Sequence, residues 1–197
     1  MTITIGSLPP PQQDGSVSLE KAIWMRSSVR SYRSQPIENR LLGQILWAAQ
    51  GLRPSSGHRN APSAGALYPL ELYVVSGEAI FHYVVDDHSL EIIRSGNHRA
   101  ALMHAGLDQE FITQAAITIV IAAVPERTAN KYGEERSPRY IDFEVGHVAQ
   151  NIMLQAAALG LGSVPVGAFN DVEVAKILEL SGNSFPLYLV PIGYPAD

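Results

Sequence analysis

The sequence predicts an α+β fold, with a central, mainly antiparallel sheet flanked by helices. Three observations predict it. Helical periodicity comes first, before any strand-like stretch. Strand-like apolar runs then follow one another from Leu70 with connections of only turn length. A long apolar helix and one last strand close the chain. Turn-length connections make hairpins, and helices kept apart from them point away from a doubly wound parallel sheet.

The elements are justified in order. Residues 1–17 are rich in Pro, Gln, Gly and Ser and read as a flexible N-terminal arm, leaving 18–197 as a single domain. A helix begins near Ser18, a good N-cap, with Glu20 in its first turn. It ends in the polar run Arg26-Ser27-Ser28-Val29-Arg30. A second helix runs over 38–50, where Leu41, Leu42, Ile45, Leu46 and Ala49 share one face and Gly51 is the stop. Residues 52–66 form a connector long enough to suggest a functional loop. Strands follow at 70–75, 79–85 and 90–94, then helical turns over 97–114 and a buried strand over 115–124. Residues 125–139 are polar and carry Pro125, Gly133 and Pro138, which reads as a loop. An apolar helix spans 140–159, a short strand 163–166, a helix 171–180 and a final strand 187–192.

Composition excludes several function classes. The chain has 197 residues, of which 46% are hydrophobic and 17% charged, an ordinary globular balance. Its formal net charge of -5 is wrong for a broad nucleic-acid or membrane surface, so neither partner is expected. The absence of cysteine excludes disulfides, thiolate metal sites and cysteine nucleophiles. The longest apolar run, Ala115 to Val124, is about half the roughly 20 residues a spanning helix needs. No basic segment leads into an apolar run at the N-terminus, and a cytoplasmic protein is expected.

Three stretches carry candidate chemistry. In the first, Arg26, Ser27, Ser28 and Arg30 offer two forked cations and two hydroxyls, a set able to grip a phosphate. The plainer reading is a solvated helix end. In the second, Pro62-Ser63-Ala64-Gly65-Ala66 supplies small residues that let backbone approach a flat ligand, or simply serve a turn. Ser63 lacks the Gly-x-Ser-x-Gly frame of a hydrolase nucleophile. In the third, Gly160 and Gly162 precede Pro165-Val166-Gly167-Ala168. The spacing misses the third glycine of a dinucleotide fingerprint, and the run follows a helix where that fingerprint needs a strand. A strand end presenting backbone N–H groups to a ligand remains open. The six histidines are scattered, so no metal site is expected. His147 reads as a satisfied core or interface residue. Asp142 and Glu144 face different sides of their helix and are no ready acid–base pair.

Taken together, these runs resemble the signatures of the nitroreductase family of FMN-dependent oxidoreductases. Arg26-Ser27-Ser28-x-Arg30-x-Tyr32 resembles the first, and Pro62 to Tyr73 the second. Gly146-His147-x-x-Gln150-Asn151 through Leu159-Gly160-Leu161-Gly162 to Pro165-Val166-Gly167 resembles the third. The match spans about 18–194 and lies nearest the branch of SagB-type azoline dehydrogenases. The resemblance implies an intertwined homodimer with FMN at its interface. Arg26 and Ser28 would hold the phosphate, with Ser27 beside them, and Arg30 would reach the flavin pyrimidine. Pro62, Ser63, Ala64 and Gly65 would approach the ring from the partner subunit. Pro165, Val166, Gly167 and Ala168 would lie against its other edge, with the Gly167 N–H near N5. The implied activity is hydride transfer from NAD(P)H to a small conjugated acceptor, such as a nitro compound or quinone, in a ping-pong cycle.

Two departures stand out. Ala66 occupies a position where many members have Asn. The chain also ends at Tyr194-Pro195-Ala196-Asp197 without the basic residues that often complete the phosphate site. Arg139 or another internal cation would have to help. The pair Lys131-Tyr132 resembles the Lys-Tyr pair with which azoline dehydrogenases assist proton removal, a role suited to a lysine depressed by burial. An oxidative azoline or peptide dehydrogenase is therefore an alternative function, and a non-catalytic flavin-binding module is another.

Overall fold

In the computed structural model, which describes Ile3 and residues 6–196, the described strands form one antiparallel sheet. Its order is β1 (Gly6–Ser7), β4 (Ser89–Ser95), β3 (Ala79–Val84), β2 (Leu70–Val75), β5 (Ile117–Ala123), β7 (Phe185–Gly193) and β6 (Gly162–Ser163). Side chains alternate across it, as the period of two requires. Ile117, Ile119 and Ile121 of β5 enter one core cluster with α2 (Asn39–Gln50) and α6 (Ser137–Ala158). Val120 enters a second cluster on the other face with α3 (Arg99–Ala105) and α7 (Asp171–Ile177). Strand β5 is buried throughout, which explains its unbroken apolar run.

Local signals act as expected at several ends. Ser18 caps α1 (Leu19–Met25) by accepting from the Lys21 N–H. The apolar stripe of α2 is buried as predicted. Gly51 ends that helix for a packing reason, because a Cβ there would lie 2.2 Å from Trp47 Cδ1. Its φ of −58° makes no demand for glycine.

Three expectations need correction. The polar segment 125–139 is not a continuous loop. It contains α5 (Glu126–Tyr132), with Pro125 as N-cap, Glu126 in the first turn and Lys131 in the last. Helix α6 begins at Ser137, three residues early, because Pro138 sits in the first turn where its missing N–H costs nothing. The segment read as an arm contributes β1 to the sheet edge and Leu8 to the core, and the Gln12 N–H donates to the Gln44 side chain. Among the described residues, no helix is long and apolar enough to cross a membrane.

Candidate functional site

Two groups of candidate residues are assembled, one at the C-terminal end of α6 and the other against its middle. The first joins the Arg26 run to the glycine-rich run. The Val29 N–H donates to the Ser163 carbonyl at 3.0 Å, and Ser28 and Ser163 form a parallel bridge. Gly162 is obligatory here, since a Cβ would come within 2.7 Å of the Val29 side chain. Tyr32 secures the same backbone from below by donating its hydroxyl to the Val29 carbonyl at 2.6 Å. Burial raises the pKa of that hydroxyl, against the opposing charge of Arg30, so it remains a donor.

A small cavity of about 170 Å³ opens beside this junction, lined by Arg26, Ser27, Ala157, Gly160, Gly162 and Ser163. Neither Arg26 nor Arg30 has a carboxylate partner among the described residues. Arg30 lies over the Phe111 ring at 6.0 Å. The unneutralised guanidinium of Arg26 beside small residues and backbone forms a place for an anion. The adjoining segment 165–168 is fastened at Val166, which exchanges backbone hydrogen bonds with Leu189, and at Ala168, whose carbonyl accepts from Gln109. Between them Gly167 is exposed, and its N–H has no acceptor among the described residues.

The second group is the loop Pro62–Gly65. Ala61 is fully buried beneath it, and Asn60 ties it to α2 by donating to the Trp47 carbonyl at 2.7 Å. Ser63 Oγ accepts from the Tyr68 N–H at 2.9 Å, and the Pro62 carbonyl faces His147 Nδ1 at 3.4 Å. The backbone is left-handed at Gly65 (φ 64°), Ala66 (φ 55°) and Tyr68 (φ 47°). A Cβ on Gly65 would stand 2.9 Å from both Lys131 Nζ and Tyr132 Oη. The structure thus brings the Lys131–Tyr132 pair against the second group, leaving the first group on its own. Lys131 is exposed in the protomer, so the burial assumed for it from sequence is absent there.

Other placements differ from expectation. His147 is exposed in the protomer and is not a core residue. Arg139 stacks on Phe143 near the start of α6. It stands about 27 Å along the helix from Ala157 at 1.5 Å per residue, and so cannot share the Arg26 cavity of its own protomer. Asp142 is exposed and Glu144 buried, which keeps them apart as expected.

Several residues of this region were not identified from sequence. Arg127 on α5 pairs with Glu71 on β2 and donates to the Tyr68 carbonyl at 3.0 Å. Glu71 also meets His82 Nε2 at 2.6 Å. Burial pushes the Glu71 pKa up, but the His82 hydrogen bond and the Arg127 charge outweigh it and leave the group below its ordinary value. Glu144, Gln50 and Arg59 gather under the Pro62–Gly65 loop. The signal for Glu144 was a carboxylate on the apolar face of α6, three residues after Ile141 and four before Val148.

Comparison with known proteins shows the family of the chain. The profile of the nitroreductase family matches residues 23–194. A Methanocaldococcus jannaschii protein assigned to the nitroreductases is 45% identical over 183 residues, covering 90% of this chain and 91% of its own. The FMN reductase [NAD(P)H] of Bacillus subtilis is 27% identical over 190 residues, covering 90% of this chain and 66% of its own. A nitroreductase-like crystal structure from Ralstonia eutropha superposes with a TM-score of 0.88 at 26% identity, over 98% of this chain and 90% of that one. A chain of the Escherichia coli microcin synthetase McbBCD complex, with truncated pro-MccB17 bound, superposes with a TM-score of 0.78 at 25% identity, over 87% of this chain and 70% of that one. From the matched profile and the 45% identical relative, the chain belongs to the nitroreductase family, a family of oxidoreductases.

Proposed function

We propose that the protein is an FMN-dependent oxidoreductase that moves hydride from NAD(P)H to a small conjugated acceptor in a ping-pong cycle. The single observation that carries this is the unneutralised guanidinium of Arg26 in a cradle of small residues, Ser27, Ala157, Gly160, Gly162 and Ser163. That donor set fits a phosphate monoester joined to a flat ring that presents acceptor atoms. Arg26, Ser27 and Ser28 would hold the phosphate. Arg30 would stand toward the pyrimidine and favour negative charge there. Pro165, Val166, Gly167 and Ala168 would border the ring, with Gly167 donating to it. Bound FMN supplies the capacity to accept and pass on a hydride, while the protein supplies orientation and exclusion of water.

The second group completes this site in a homodimer, where Pro62, Ser63, Ala64 and Gly65 of one copy cover the ring held by the other. The exposed apolar face of α1 supports the dimer, because Leu19, Ile23 and Trp24 are 64%, 55% and 77% exposed in the protomer. An enzyme drawing on reduced nucleotides suits the cytoplasm. Arg26→Ala is expected to weaken FMN binding by about tenfold or more, the loss of a charge-assisted phosphate contact, read by equilibrium dialysis. An unchanged affinity would remove Arg26 from the phosphate site.

A second reading has its own observation. Lys131 and Tyr132 both reach the Gly65 face of the loop, where they could take up a proton from an azoline or related peptide substrate oxidised at the flavin. Lys131→Ala separates the two. Full turnover of the best substrate by this variant removes lysine from proton transfer, and loss of oxidation with retained FMN favours the dehydrogenase.

A further inference from the structure

Helix α5 meets the loop that follows Ala61 at two points. In its last turn Lys131 and Tyr132 stand against Gly65, where a Cβ would lie 2.9 Å from Lys131 Nζ. In its first turn Arg127 donates from one terminal guanidinium nitrogen to the Tyr68 carbonyl at 3.0 Å. Arg127 and Lys131 are four residues apart, so one face of the helix runs along the loop. The other terminal nitrogen of Arg127 pairs with Glu71 Oε1 on β2. The second Glu71 oxygen meets His82 Nε2 at 2.6 Å, on the neighbouring strand β3. A guanidinium suits this double task, because its planar fork serves two acceptors at once.

Tyr68 is the point at which the loop has to be held. Its φ of 47° is left-handed, a backbone that a residue with a Cβ keeps only where its surroundings hold it. Side chains engage both of its main-chain groups. The N–H donates to Ser63 Oγ at 2.9 Å, and the carbonyl accepts from Arg127. Ser63 belongs to the loop itself. The bond from Arg127 therefore ties this peptide to another element, and Glu71 carries the tie into the sheet. We propose that Arg127 is a positioning residue for the flavin site: anchored by Glu71, it fixes the Tyr68 end of the loop and so keeps Pro62–Gly65 and the Lys131–Tyr132 pair in place at the flavin ring. This rests on the FMN reading above, in which that loop covers the ring.

The test measures FMN affinity by fluorescence titration, together with the visible absorption bands of bound flavin, for wild type, R127A, E71A, the double variant R127A/E71A and N183A. Asn183 donates to Glu126 at 2.8 Å, a tether of α5 that does not involve the loop, so N183A reports on general loosening of the helix. Far-UV circular dichroism checks the fold of each. R127A is expected to weaken FMN by about tenfold, the loss of a charge-assisted hydrogen bond, and to shift the flavin bands toward those of free FMN. E71A should act in the same direction by about threefold or more. The double variant should be no weaker than R127A, because Glu71 acts through Arg127. N183A should keep the affinity and bands of wild type. Wild-type affinity and bands in R127A or in E71A, fully additive effects of the two changes, or a loss in N183A equal to that in R127A would each overturn the proposal. Should R127A fail to fold, R127K decides: it keeps the charge opposite Glu71 without the two-nitrogen fork, and unchanged affinity and bands in it overturn the proposal equally. Wild-type protein that binds no FMN would instead overturn the flavin reading and this proposal with it.

Discussion

Ala66 shows how a single position links chemistry to backbone. Its φ of 55° lies in the left-handed region, which costs a residue with a Cβ about 1 kcal/mol. Asn, the residue many family members have there, tolerates that region better than Ala does. The residue's side chain therefore matters to the loop's backbone as well as to any ring contact. Ala66→Gly is expected to stabilise the protein by about 1 kcal/mol in urea unfolding, and no gain would mean that the strain is taken up elsewhere. Gly65 obeys the same rule with less freedom, because it combines a φ of 64° with Lys131 and Tyr132 at its face. The left-handed run could not be read from sequence, because Ala and Tyr carry no signal for it.

At the scale of elements, α5 is the instructive case. Its seven residues bury only Thr128, so no apolar stripe announces it. What fixes it is charge: Arg127 holds it to Glu71 on β2 and to the Tyr68 carbonyl, and His82 on β3 supports Glu71 from the other side. This clamp makes a pH prediction. The Glu71 pKa is depressed in the folded state, so its contribution is fully present above the ordinary glutamate value of 4.5 and is lost as pH falls through the lower folded value. Glu71→Gln should cost about 1 kcal/mol near neutrality, and the gap from wild type should close in acid when unfolding is followed by denaturant at each pH. A gap independent of pH would contradict the clamp. Glu144 has the opposite sign, since its raised folded pKa makes its ionisation a burden as pH rises. The helices with clear stripes, α2 and α6, and the antiparallel strands were legible because packing wrote them into the periodicity. The contacts of Arg127 and Glu144 were not, because they join residues that only the folded sheet brings together.

The whole molecule carries the strongest constraint. His147 faces the Pro62 loop, whereas Ala157 lines the Arg26 cavity, and ten residues of helix separate them by about 15 Å. The two groups thus lie against different stretches of α6, and in the homodimer proposed above each copy would supply one of them to a shared site. Trp24, exposed and capped by Lys21 Nζ at 4.1 Å, marks the surface that would join two copies. Trp24→Glu is expected to shift the protein from dimer to monomer in sedimentation and to release FMN in parallel. A variant that stays dimeric and retains flavin would place the interface elsewhere.

The most direct test of the account is the visible absorption spectrum of the protein after FMN has been added and the excess removed, followed by anaerobic NADH or NADPH. The account predicts that flavin bands are retained and that one of the nucleotides bleaches them. Absence of retained flavin would contradict the cofactor assignment, and retained bands that neither nucleotide bleaches would contradict the NAD(P)H-driven cycle.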